Sequence, residues 1–139
     1  MSRLTDTFAR TKREGRSALV AYFCGGDPDP ETTVEVCVAA AEEGADILEL
    51  GMPFSDPAAD GVAIQRASER ALRGGMTLKK TLEVARAIRA RTSVPIVLFG
   101  YYNPILAYGE EALSRDAAAA GIDGLLVVAR DGHANAAGT

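Results

Sequence analysis

Glu49 is the residue whose setting first calls for a chemical reason. In LELGMPFSDPAADG, residues 48–61, it stands between Leu48 and Leu50 in a segment otherwise apolar enough to be a buried strand. An ionised carboxylate in so dry a place is costly unless it is paired or protonated. Partial burial also raises a carboxyl pKa toward neutrality, the range in which one group can both give and take a proton. An ion-paired structural Glu, or one on an exposed edge, is the alternative. The loop that follows, MPFSDPAADG, adds Asp56 and Asp60 and is longer than a minimal strand-to-helix turn. Asp60 precedes Gly61 and the helical stretch VAIQRASERAL, so it can serve as an N-cap, as a functional carboxylate, or as both. One carboxylate at a strand tip and another on the adjacent loop suit acid/base chemistry, with one moving protons and the other holding a polar substrate hydrogen.

Other stretches offer less. CGGDPDP at 24–30 is Gly-rich and enters a helix, but it fits neither GxxxxGK[ST] nor GxGxxG, so a turn with a helix cap is the expectation and an anion site the alternative. His133 is the only histidine, which removes His-based triads and multi-His metal sites; no metal is expected. Cys24 and Cys37 lie in different apolar segments without ligand spacing. Tyr101, Tyr102 and Asn103 follow an apolar run and could line a pocket at the same end as Glu49, or a Tyr there could merely pack.

The elements that would position these groups alternate in period. Residues 3–14 put Leu4, Phe8 and Ala9 on one side of a polar helix ended by Gly15, a short lid on something larger. Ser17–Phe23 is a nearly continuous apolar run, as expected of a strand buried on both faces. Asp29 and Pro30 read as N-cap and first-turn residue of a helix whose apolar stripe is Val34, Val38 and Ala41. Strands are expected at 45–50, 94–99 and 122–128, and helices at 62–72, 78–91, 104–108 and 110–120. The class is therefore α/β with a parallel sheet. Segments 39–50 and 116–127 share an Ala-rich helix end, a Gly, an Asp two positions on and then a strand, matching Gly44 and Asp46 to Gly121 and Asp123. Such repetition favours a (β/α) barrel over an open sheet.

A complete eight-stranded barrel takes about 250 residues. At 139 residues the chain has room for about the first four βα units, at 1–128, and ARDGHANAAGT at 129–139 is expected to be a disordered tail. The composition, 47% hydrophobic and 24% charged, is that of an ordinary soluble domain. With net charge −4 and scattered basic residues there is no nucleic-acid footprint, and no apolar run is long enough to cross a membrane. Nothing at the N-terminus resembles a signal peptide, so a reducing cytoplasm is expected.

LELGMPFSDPAADG, together with GDP at 26–28 and YYNPI at 101–105, resembles the signature of the tryptophan synthase α-subunit family, over roughly residues 4–128. The resemblance implies a (β/α)8 TIM barrel that cleaves indole-3-glycerol phosphate by a retro-aldol step to indole and glyceraldehyde 3-phosphate. It implies no cofactor of the chain's own. It also implies an α2β2 assembly with a β subunit that carries pyridoxal phosphate and receives the indole. Carried over by position, Glu49 matches the catalytic acid/base and Asp60 the carboxylate that holds the indole N–H. Tyr22 and Tyr101 match aromatic substrate-pocket positions, and Pro53, Asp56 and Pro57 positions that face the β subunit. Ala58 and Cys24 depart from the usual residues, a larger aliphatic and a Thr. After LLVV the family continues with an Asp-Leu-Pro-type loop and four more strands, which include the phosphate-holding loops. The implied chain is thus the N-terminal half, truncated after the fourth strand, carrying the catalytic carboxylates without the phosphate site. With its strand edges uncovered, such a half-barrel is expected to aggregate, dimerise or need a complementing fragment. The alternative function is a non-catalytic half-barrel that self-associates or binds a β subunit.

Overall fold

The computed structural model describes residues 2–129. The chain runs α1 (Arg3–Arg13), β1 (Val20–Cys24), α2 (Pro30–Glu42), β2 (Ile47–Gly51), α3 (Val62–Arg73), α4 (Leu78–Arg89), β3 (Ile96–Tyr101), α5 (Tyr102–Tyr108), α6 (Glu110–Ala119) and β4 (Gly124–Val128). The four strands form one sheet in the order β1-β2-β3-β4, and every neighbouring pair is parallel. Sequential parallel strands joined by helices form the first half of the barrel pattern expected from the repeats.

The helix signals work as their chemistry requires. The Asp29 side chain accepts the Thr32 N–H at 2.7 Å, and Pro30 occupies the first helical turn, where its missing N–H costs nothing. Ser2 and Thr77 cap α1 and α4 in the same way. On the face of the sheet that meets the helices, Leu48 and Leu50 of β2 stand beside Ile96 and Leu98 of β3, all essentially inaccessible. Ile88 and Ala85 of α4 and Leu113 and Ala117 of α6 complete that core. Because side chains alternate along a strand, burying Leu48 and Leu50 commits Glu49 to the opposite face.

The Gly-x-Asp repeat is a structural device. Gly44 and Gly121 take positive φ, +114° and +83°, and turn the chain out of α2 and α6. Two residues on, the Asp46 N–H donates to the Leu19 carbonyl at 2.9 Å while its carboxylate accepts the Leu19 N–H at 2.8 Å. Asp123 makes the same reciprocal pair with Ile96, at 2.8 and 2.9 Å. Each Asp thereby replaces one rung of the ladder and sets the start of the neighbouring strand. Both carboxylates are then held by two arginines, Asp46 by Arg10 and Arg16 and Asp123 by Arg3 and Arg89. Since Arg3 and Arg10 belong to α1, that helix is tied across the N-terminal ends of the strands.

Two expectations about burial need correction. The first strand begins at Val20 rather than Ser17 and is not buried on both faces, because it forms a sheet edge and Leu19 and Val20 are 58% and 47% exposed. On α1 the packed residues are Thr7 and Thr11 rather than Phe8, which is 53% exposed. The other edge, β4, exposes Leu125, Leu126 and Val127. The expected tail at 129–139 lies outside the described residues except for Ala129, which follows β4 without regular structure.

Candidate active site

The strand register assembles the site. Tyr22 of β1, Glu49 of β2 and Val97 of β3 are successive partners and so share the face turned away from the helices. One step toward the C-terminal ends lie Gly51 and its partner Phe99. Tyr22 leans over this step: a side chain at Gly51 would begin 2.3 Å from the Tyr22 hydroxyl, and the Tyr22 ring meets Phe99 edge-on at 5.8 Å. A side chain at 51 would therefore have to displace the Tyr22 ring.

Glu49 is half-buried at the strand tip. Burial alone raises its carboxyl above the ordinary glutamate value, and in this structure the carboxylate has neither an ion partner nor a hydrogen bond among the described residues. The ion-paired alternative is thus not realised. The N-cap alternative for Asp60 is not realised either: the residue capping α3 is Gly61, without a side-chain bond. Asp60 instead spends its backbone on the loop, its N–H donating to the Pro57 carbonyl at 3.0 Å and its carbonyl accepting the Gln65 side-chain amide at 2.8 Å. Its carboxylate has no cation beside it among the described residues, and the Tyr101 hydroxyl is its neighbouring donor. The carboxylate lies close enough to Tyr22 and Tyr101 to raise both phenols, in addition to the larger effect of burial on each. Tyr22 also feels Glu49, so the two carboxylates and this phenol form one electrostatic cluster.

Tyr101, at the end of β3, fastens the loop from the other side. Its hydroxyl accepts the Ala59 N–H at 2.9 Å, and its ring lies 5.2 Å from Phe54. A cleft of about 270 Å³ opens beside it, lined by Phe54, Asp56, Ala58, Tyr101, Asn103 and Val128 among others. Asp56 is exposed on the rim, with Pro53 and Pro57 half-buried in the same loop. The register and the tethered loop thus bring Glu49, Asp60, Tyr22 and Tyr101 to one end of one sheet face, and put Asp56, Pro53 and Pro57 on the loop above.

Some parts of the cluster were not anticipated. Phe54 lies inside the loop motif but nothing about its spacing singles it out, and Phe99 reads as one more apolar strand residue. The role of Gly51 did leave a signal, since a Gly two positions after Glu49 must fall on the same face. The CGGDPDP stretch forms the expected turn and cap: Gly26 N–H donates to the Thr33 hydroxyl, and Asp27 pairs with Arg70 at 2.8 Å. Cys24 and Cys37 are free and buried. No group of three His, Cys, Asp or Glu side chains among the described residues is arranged to hold a metal.

Comparisons with known proteins agree on one family. Residues 8–133 match the family model described as the tryptophan synthase alpha chain. A tryptophan synthase alpha chain from Geobacter sulfurreducens is 56% identical over 128 residues, which make up 92% of this chain and 48% of that one. The crystal structure of tryptophan synthase subunit alpha from Legionella pneumophila superposes with a TM-score of 0.89 at 41% identity, covering 92% of this chain and 49% of that one. An aminoacrylate-bound tryptophan synthase from M. tuberculosis gives 0.87 at 42% identity, covering 91% and 51%. The chain spans about half the length of the relatives it matches.

Proposed function

Because this chain belongs to the tryptophan synthase alpha chain family, we propose that it carries the acid/base half of a carbon–carbon lyase that cleaves indole-3-glycerol phosphate to indole and glyceraldehyde 3-phosphate in tryptophan biosynthesis. The observation that carries this reading is Glu49 itself, a carboxyl raised by burial, without an ion partner among the described residues, on the sheet face where Tyr22 feels both it and Asp60. In the step, Glu49 delivers a proton to the ring carbon that bears the glycerol chain. Asp60 holds the indole N–H and offsets the positive charge that develops on the ring. Removal of the proton from the adjacent glycerol hydroxyl then lets the C–C bond break, so that its electron pair returns to the ring and the hydroxyl carbon becomes an aldehyde. Glu49, ionised by the first transfer, accepts that second proton and is restored. A group that gives and then takes works best with a pKa near the working pH, which partial burial supplies.

Tyr22 and Tyr101 bound the ring's pocket. The reaction needs no cofactor from this chain, and pyridoxal phosphate belongs to a partner β subunit that docks on the loop bearing Pro53, Asp56 and Pro57. A cytoplasmic setting suits the two free cysteines.

The test is indole release from indole-3-glycerol phosphate by the 139-residue chain, alone and mixed with the C-terminal half of a full-length relative. Turnover in either case that disappears in Glu49→Gln is the expected result. A second reading, a non-catalytic half-barrel that associates with itself or with a β subunit, draws on the exposed Leu125, Leu126 and Val127 of β4. Absence of turnover in both mixtures would favour it.

A further inference from the structure

Tyr22 reaches further than a ring that merely lines a pocket. Its hydroxyl fills the space a side chain at position 51 would occupy, on the same sheet face as Glu49 and one step nearer the strand tips. Positions two apart on a strand are separated by roughly 6.6 Å, twice the rise per residue. A glutamate side chain turned toward the strand tip spans most of that gap, so the Glu49 carboxylate, which accepts no hydrogen bond in this structure, needs only a change of rotamer on ionisation to meet the phenol. Phe99, edge-on to the Tyr22 ring, holds the phenol in that place.

We propose that the Tyr22 hydroxyl is a positioning group of the site, donating a hydrogen bond to the Glu49 carboxylate in its ionised state and aiming it at the strand tips. This deepens the lyase reading, because it assigns Tyr22 an action on the acid/base itself. The groups that face Glu49 are few. Tyr22 and Cys24 belong to β1, Asp60 on the loop lies near Tyr22 and Tyr101, and β3 presents the apolar Val97 and Phe99. The Cys24 thiol is held neutral by burial. The phenol O–H is thus the donor in the cluster able to favour the charged form.

The experiment is a carboxyl ¹³C titration of the 139-residue chain, with the Glu49 signal assigned by its loss in Glu49→Gln, compared between the unmodified chain and Tyr22→Phe. The variant keeps the ring and its contact with Phe99, so the fold is retained. The expected result is a Glu49 midpoint higher in Tyr22→Phe by about one pH unit, the size of one lost charge-assisted hydrogen bond. A midpoint that stays put or falls overturns the proposal. The titration needs no turnover, so failure of the lyase reading and failure of this one are separately visible.

Discussion

At the N-terminal ends of the strands Asp46 and Asp123 are each gripped by two arginines and a backbone N–H, whereas at the C-terminal ends Glu49 and Asp60 have no cation beside them among the described residues. The carboxyl of Asp46 is held far below the ordinary aspartate value, first by its bond from Arg16 and then by the Leu19 N–H. That of Glu49 is raised, by burial. The same functional group is a rivet at one rim and, on the proposed reading, a proton carrier at the other, and the difference lies in which partners the fold supplies. Barrel proteins divide their ends in this way, with stability at the bottom and chemistry at the top.

Breaking the upper rim has the largest expected effect. Glu49→Gln lowers turnover by about 10³-fold, the usual size of a general acid/base contribution, while the fold is kept. The assay is indole release by the chain supplemented with a C-terminal half. Breaking the lower rim does the reverse. Asp46→Asn, which leaves two arginines facing a neutral amide, is expected to cost about 2 kcal/mol of stability, measured by urea unfolding. A Glu49 titration midpoint that moved along with that loss would mean the two rims are not independent.

The pH dependence of unfolding sharpens the contrast, because the two shifts act in opposite directions. The lowered pKa of Asp46 contributes stability that is present above the ordinary aspartate value and is lost as pH falls toward the folded-state value. The raised pKa of Glu49 contributes stability that is present below the ordinary glutamate value and is lost as pH rises through the folded-state value. Asp46→Asn should therefore flatten the acid limb of the stability profile, and Glu49→Gln the limb above it. Identical profiles for the two variants would contradict the assignment. The smallest effect is expected at Asp60, which caps nothing: Asp60→Ala should change stability by no more than about 0.5 kcal/mol, although it lowers turnover.

Much of this contrast was visible in the residues. The Gly-x-Asp repeat identified Asp46 and Asp123 as equivalent before any contact was known, since both follow a helix-ending glycine and precede a strand. Glu49 stood out because a carboxylate in a strand that reads as buried is costly unless it is paired or protonated. What escaped was the set of neighbours. Phe8 and the Ser17–Phe23 run read as buried because apolar periodicity reports which residues are able to pack and not whether an element lies opposite them. Here β1 is an edge and Phe8 faces outward. Asp60 read equally well as cap or catalyst because spacing alone cannot tell whether a side chain folds back on its own helix.

The sequence by itself determined the alternation of strands and helices, the cap at Asp29, the repeated aspartates and the family motif around Glu49, because each depends on short-range periodicity or local hydrogen bonding. Only the tertiary structure decided that Tyr22 lies over Gly51, that Phe99 wedges it, and that Asp60 turns its backbone to the loop and leaves its carboxylate to the site. Those outcomes follow from the parallel register of three strands and the tether of one loop, which bring together residues far apart in the chain.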